Sequence, residues 1–342
     1  MPRLEGAVIV NPPATPPPAR ALPRTIATMG EFALIEKLTA GGPIFDQVLL
    51  GPGDDAAVLA APDARVVIST DMLVDGVHFR TDWATGEQIG RRAALAALAD
   101  IAAMGAVPTG LVVGLAAPPG TATELLLSIG QGLRGAAAEV GAALVGGDLT
   151  RSDVLTLAVT VLGDLQGRPP VRRSGAQPGD LVALTGRLGW AAAGLTVLSR
   201  GFRSPAAMVN AYRTPEPPLA AGPIAAAAGA SSMIDVSDGL VADLTHVATA
   251  SGVRIDIAAA ALPVTPRLAE VAAALGRDPL TWVLTGGDDH ALVATFGPDA
   301  ALPPGWDVIG TVHRLDPPDG RPAVTVDGSA REGSHGWDHF AG

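Results

Sequence analysis

From residue 29 onward the chain alternates short β-branched runs with longer Ala/Leu-rich segments. Residues 66–69, 111–115, 142–145, 155–162 and 181–184 have strand character, whereas 90–104 and 122–140 favour helix. This rhythm predicts an α/β (α+β) fold with mixed elements rather than an all-helical or all-strand one. A stretch rich in Gly, Pro and Arg at 163–179 interrupts it, after which the pattern resumes. At 342 residues the chain has the length of two ordinary domains. The expected organisation is a disordered Pro-rich tail over 1–28, an N-terminal domain over 29–165 and a C-terminal domain over 166–342. No apolar run reaches the roughly 20 residues of a membrane helix. The run Asn11-Pro12-Pro13-Ala14-Thr15-Pro16-Pro17-Pro18 lacks the continuous apolar core of a secretory signal. A cytoplasmic protein is therefore expected.

Charge and composition remove several classes of function. Lys plus Arg number 23 and Asp plus Glu 34, a net charge of −11, which makes the chain a poor general binder of nucleic acid or anionic membrane. The absence of cysteine excludes disulfides, thiolate catalysis and Cys-type metal sites. A P-loop needs Gly-Lys followed by Ser or Thr, but the single lysine, Lys37, precedes Leu38. A protein kinase also needs a strand lysine, and no Gly-x-Ser-x-Gly elbow is present.

The informative residues are acidic, and they sit beside glycines at the ends of apolar runs. Gly53-Asp54-Asp55-Ala56 offers two carboxylates, Asp54 and Asp55, with little crowding for a hard cation. Ser69-Thr70-Asp71 puts three oxygen donors of the kind Mg²⁺ prefers at the expected end of a strand. Asp100 lies opposite Leu95, Leu98 and Ile101 on a helical wheel, among Ala93, Ala96, Ala97 and Ala103. A lone carboxylate among alanines marks a face packed closely against something that attracts an anion. Gly146-Gly147-Asp148 lets a phosphate approach the backbone. Asp235 and Ser237 share a face of an extended strand, with Asp238 at the following turn. Gly286-Gly287-Asp288-Asp289 repeats the pattern of the first cluster. Each cluster alone also reads as an ordinary turn or cap, but six of one build point to shared chemistry. An acidic site with a single lysine can handle phosphates if metal ions carry the positive charge, Arg172 and Arg173, on what reads as a flexible linker, supplying the remaining contacts. That combination suggests phosphoryl transfer or an ATP-driven condensation.

These motifs, with Met72-Leu73-Val74-Asp75-Gly76-Val77-His78-Phe79, Arg173-Ser174-Gly175-Ala176 and Gly336-Trp337-Asp338-His339-Phe340, occur in one order over residues 30–340. In this ordered set the chain resembles the thiamine-monophosphate kinase family, of the superfamily that includes aminoimidazole-ribonucleotide synthetase. The resemblance implies a homodimer of two-domain subunits, the N-terminal domain binding ATP and Mg²⁺ and forming the dimer contact. It implies ATP-dependent conversion of thiamine monophosphate to thiamine diphosphate with several Mg²⁺ ions. By resemblance, Asp54, Ser69, Thr70, Asp71, Asp100, Asp148, Asp235 and Asp238 are metal ligands. Gly147, Asp148, Arg173 and Ser237 meet ATP, while His78, Asp288 and Trp337 meet the thiamine phosphate. Asp71 and Asp100 are the most critical, in a metal-assisted site without an acid/base residue. Two departures stand out: Ala99 replaces a serine, and Gly-Gly-Asp-Asp-His-Ala (286–291) replaces Gly-Gly-Glu-Asp-Tyr-Glu. They are expected to leave the metal ligands untouched and to bear on substrate contacts. The rival readings are a related ATP-dependent synthetase and a catalytically silent Mg-nucleotide-binding sensor.

Overall fold

The computed structural model describes residues 25–40, 45–52, 56–315, 320–321, 323–331 and 335–337. The described chain opens with α1 (Ile26–Met29) and α2 (Glu31–Thr39). Thr25, inside the segment expected as a tail, bridges Ala122. A short ribbon of β1 (Val48–Leu50) and β2 (Val58–Leu59) follows. Then come β3 (Val67–Val74), α3 (Gly86–Ala103), β4 (Val107–Ala117), α4 (Thr123–Glu139), β5 (Ala143–Arg151) and β6 (Thr156–Asp164). The sheet order is β3-β6-β4-β5, antiparallel except for the β4–β5 pair. In β6, Leu157, Val159 and Val161 are fully buried under the helices, while alternate residues lie on the sheet's other face.

Helix α3 is the spine of the molecule. It starts four residues before the expected position because Thr85 and Gln88 form a reciprocal capping box. Its glycines let α4 come unusually close: a Cβ on Gly90 would lie 2.0 Å from the carbonyl oxygen of Ile129. Ile89, Ala93, Ala97, Leu98 and Ile101 are fully buried. This core runs on through α3 into one face of a second sheet, reaching Met233, Leu292 and Phe296.

The second half comprises β7 (Leu181–Thr185), α5 (Trp190–Ser199), α6 (Ala206–Arg213), α7 (Ala221–Ala227), β8 (Ser232–Val236) and α8 (Leu240–Ser251). It continues with β9 (Arg254–Ile257), α9 (Pro266–Ala274), α10 (Pro279–Thr285), β10 (Ala291–Phe296), β11 (Asp307–His313), β12 (Ala323–Val326) and β13 (Ser329–Ala330). These strands form a sheet ordered β13-β12-β9-β11-β7-β10-β8. Every residue of β8 and β10 is buried, the polar Ser232, Asp235 and Thr295 included. Edge strand β8 packs against α3, so the C-terminal end of β8 faces the carboxyl-bearing end of that helix.

Candidate active site

Strand β3 does not end at Asp71 but continues to Val74, which places Ser69, Thr70 and Asp71 in mid-strand. Successive side chains therefore point to opposite faces, and the three donors cannot converge. Ser69 and Asp71 face inward. The Ser69 hydroxyl donates to Asp100 Oδ2 at 2.5 Å. Thr70 faces outward, where its hydroxyl accepts from Thr160 at 3.0 Å.

The inward donors meet Asp235 at the end of β8, across the seam between the two sheets. Burial, with the charges of Asp235 and Asp71, pushes Asp100 up to about 6 against the Ser69 hydrogen bond. Burial also raises Asp71, with Asp235 adding to the shift and His290 opposing it. His290 Nδ1 lies 3.0 Å from Asp235 Oδ2, and both side chains are buried. Burial opposes a charge on His290, yet the hydrogen bond and charge of Asp235, with Asp288, raise its pKa. The seam thus crowds carboxylates whose charge His290 only partly balances, an oxygen-rich setting suited to a hard divalent cation. Among the described residues no three His, Asp or Glu side chains are arranged to hold one ion as they stand.

Two clefts open on either side of this seam and share Asp100 and Asp235. The first, about 420 Å³, is lined by Ser69, Arg172, Arg173 and Ser174. The expectation of a flexible linker here is corrected. Ser251 donates to the Arg173 carbonyl at 2.8 Å and accepts from Ala176 N at 3.1 Å. A Cβ on Gly175 would sit 1.7 Å from the Ser231 carbonyl oxygen, so the segment is wedged between α8 and β8. The second cleft, about 450 Å³, contains Asp71, His78, Ser237, Asp238, Asp288 and Trp337. Val74 N donates to His78 Nδ1 at 3.0 Å, which assigns the imidazole proton to Nε2. Trp337 N donates to the Asp238 carbonyl at 2.9 Å, bringing this C-terminal segment to the cleft.

The other candidates stand elsewhere. Ser237, expected beside the nucleotide, lines the second cleft and accepts from Asp288 N at 2.8 Å. Gly147 and Asp148 lie inside β5 rather than in a turn, and line recesses on the N-terminal sheet with no residue from the seam. Gly147 is needed there because a Cβ would sit 2.1 Å from the Val113 carbonyl oxygen. Asp54 and Asp55 lie outside the described residues.

Residues 53–165 match the family model described as AIR synthase related protein, N-terminal domain. Over 318 residues the chain is 48% identical to the thiamine-monophosphate kinase of Mycobacterium tuberculosis, covering 92% of this chain and 93% of that protein. The chain belongs to the thiamine-monophosphate kinase family. Among solved structures it is similar to the thiamine-monophosphate kinase of Stenotrophomonas maltophilia K279a, with 34% identity and a TM-score of 0.72 over 84% of this chain and 93% of that chain. It is also similar to AaThiL complexed with AMPPCP and TMP, with 28% identity and a TM-score of 0.75 over 91% and 97% of the two chains.

Three residues outside the expected kinase-family set shape the site. His290 is one, and it corrects the expectation that the altered 286–291 motif leaves the metal ligands alone, because it bonds Asp235 directly. Asp243 is the second: its Oδ2 accepts from Asp238 N at 3.1 Å and Gly239 N at 3.0 Å, fixing the turn that carries Asp238. The spacing Ser237-Asp238-Gly239 followed by an acid in the first turn of α8 is the signal for it. Arg92 is the third and is taken up below. The pair Asp288-Asp289 does not act as a pair. Asp289 caps α5 by accepting from Trp190 N and Ala191 N, each at 2.9 Å.

Asp289 makes stability depend on pH. Burial lifts its pKa from 3.8 to about 7, against the two N–H bonds. The unfolded carboxyl loses its proton first, so this contribution is fully present below about pH 4 and is lost as pH rises through about 7. The ligand-free protein is expected to show a falling thermal midpoint from about pH 5 to about pH 8, and Asp289→Asn to flatten part of that slope. Identical slopes in the two proteins would contradict this.

Proposed function

We propose that this chain transfers the γ-phosphoryl group of ATP directly and in line to the phosphate of thiamine monophosphate, with several Mg²⁺ ions and as a homodimer in the cytoplasm. The observation that carries the reading is the pair of clefts meeting at Asp100 and Asp235. Arg173 faces the nucleotide phosphates from one side; His78, Asp288 and Trp337 receive the acceptor on the other. The seam between them is where the phosphates meet.

The acceptor is a phosphate monoester with a second pKa of about 6, already ionised at neutral pH, so no general base is needed. Its oxygen forms the new P–O bond as the bond from the γ-phosphorus to the departing ADP breaks. The obstacle is bringing two polyanions together. Mg²⁺, when bound, supplies the positive charge that screens both phosphates and the group in transfer. Asp71, Asp100, Asp235 and Asp238 would hold it, Ser69 orienting Asp100. Ser237 fixes the Asp288 backbone.

Support for the homodimer comes from the outer face of the N-terminal sheet and ribbon. Leu49, Val58, Val66, Ile68 and Met72 are exposed there, large apolar side chains of the kind an interaction face carries. Burying that face against a second copy would set Thr70, Gly147 and Asp148 at the interface.

The test is ADP release measured with thiamine monophosphate, against the same mixture without acceptor. Acceptor-dependent release and inversion at a chiral transferred phosphorus are expected. Release independent of acceptor favours a related synthetase, no release at all favours a silent sensor, and retention would rule out direct transfer.

A further inference from the structure

Arg92 and Asp100 both line the second cleft, and eight helical steps of α3 separate them by roughly 12 Å along the helix axis. The cleft therefore has a carboxylate end at the seam and a second end at Arg92 and Tyr212, to which the Asp288 side chain reaches. A phosphorylated acceptor whose phosphate lies at the seam extends its ring system toward that second end.

The second end is built in an unusual way. The Arg92 side chain is only 5% exposed, and its guanidinium is engaged on several sides. Nη1 donates to the Tyr212 carbonyl, Nη2 lies 2.8 Å from Asp288 Oδ2, and the group stacks 4.7 Å over the Tyr212 ring. Trp83 braces that ring edge-on at 6.0 Å. Asp288 is the opposite case. Its side chain is 44% exposed, and its backbone sits at φ +69°, the left-handed region that non-glycine residues rarely adopt. Such an outlier persists where surrounding contacts over-determine it. Here those contacts are Asp288 N to the Ser237 carbonyl at 2.8 Å and the Arg92 ion pair.

We infer that Arg92 is a positioning residue that acts through Asp288: it holds this carboxylate toward the ring end of the acceptor, as counter-charge and hydrogen-bond acceptor for an amino-bearing heteroaromatic cation. The inference rests on the reading of this cleft as the acceptor site. An ion pair to a carboxylate this exposed adds little stability of its own, so what Arg92 supplies through Asp288 is the direction of that carboxylate. Asp288 is one methylene shorter than the glutamate of the family motif, so its reach depends on the backbone and on the group behind it.

The experiment uses the full chain and the variants Arg92→Met, Arg92→Lys, Asp288→Asn and Arg92→Met/Asp288→Asn. KM is measured for thiamine monophosphate and for ATP separately, and thiamine monophosphate affinity by calorimetry without nucleotide. Arg92→Met and Asp288→Asn are each expected to raise the acceptor KM and Kd about 10-fold, the loss of one charged hydrogen bond. The ATP KM should change less than about 2-fold, Arg92→Lys should be intermediate, and the double variant should be no worse than the worse single one. Equal rises in both KM values, additive losses, or an unchanged acceptor Kd in Asp288→Asn would overturn the inference. Should Arg92→Met not fold, Asp288→Asn and Arg92→Lys still decide it. A wild-type chain that binds thiamine monophosphate but shows no acceptor-dependent ADP release would fail the proposed function while leaving the binding comparison decisive.

Discussion

Asp71→Asn is expected to abolish turnover while leaving the fold intact or slightly more stable. The carboxylate lies inward on β3, where burial and Asp235 raise its pKa, so the folded chain holds this charge at a cost. An amide of the same shape removes that cost together with the charge that a divalent cation requires. A loss of at least about 1,000-fold in kcat is expected, the scale of removing one electrostatic element of a transition state. The thermal midpoint without ligand should stay level or rise, and its increase on adding Mg²⁺ with ATP should shrink. An active Asp71→Asn protein would refute the assignment.

Asp235→Ala should lose activity to a similar extent but behave oppositely in stability. Asp235 and His290 are buried and 3.0 Å apart, so truncation leaves a buried imidazole without its acceptor. Breaking one side of a buried pair costs about 3–5 kcal/mol, which corresponds to a drop on the order of 10 °C in a chain of this size. A second substitution, His290→Gln, should recover part of the loss, because the two residues are coupled and not additive. Circular dichroism melts of the two single variants and the double variant check this. A double variant whose destabilisation equals the sum of the singles would show that the pair is not an energetic unit. The contrast matters because both carboxylates lie on one seam, yet of the two it is Asp235 that has an imidazole within hydrogen-bond distance.

The alternation of strand and helix and the acidic motifs were legible along the chain because each is a local pattern of hydrophobic period, turn residue or short spacing. The same local reading misplaced the start of α3, where Thr85 and Gln88 cap a turn lacking apolar periodicity, and the end of β3, where polar residues continue a strand. It treated Asp288 and Asp289 as alike, although a left-handed backbone sends one into a cleft and helix α5 claims the other. Residue types and their order were enough to nominate Asp71, Asp100 and Asp235. The packing of α3 against β8 alone determined that they share a seam, that Thr70 leaves it and that His290 enters it. Contacts between residues as far apart in sequence as Asp71, Asp235 and His290 depend on how helices and sheets stack, and burial then sets which charges repel and which are paired.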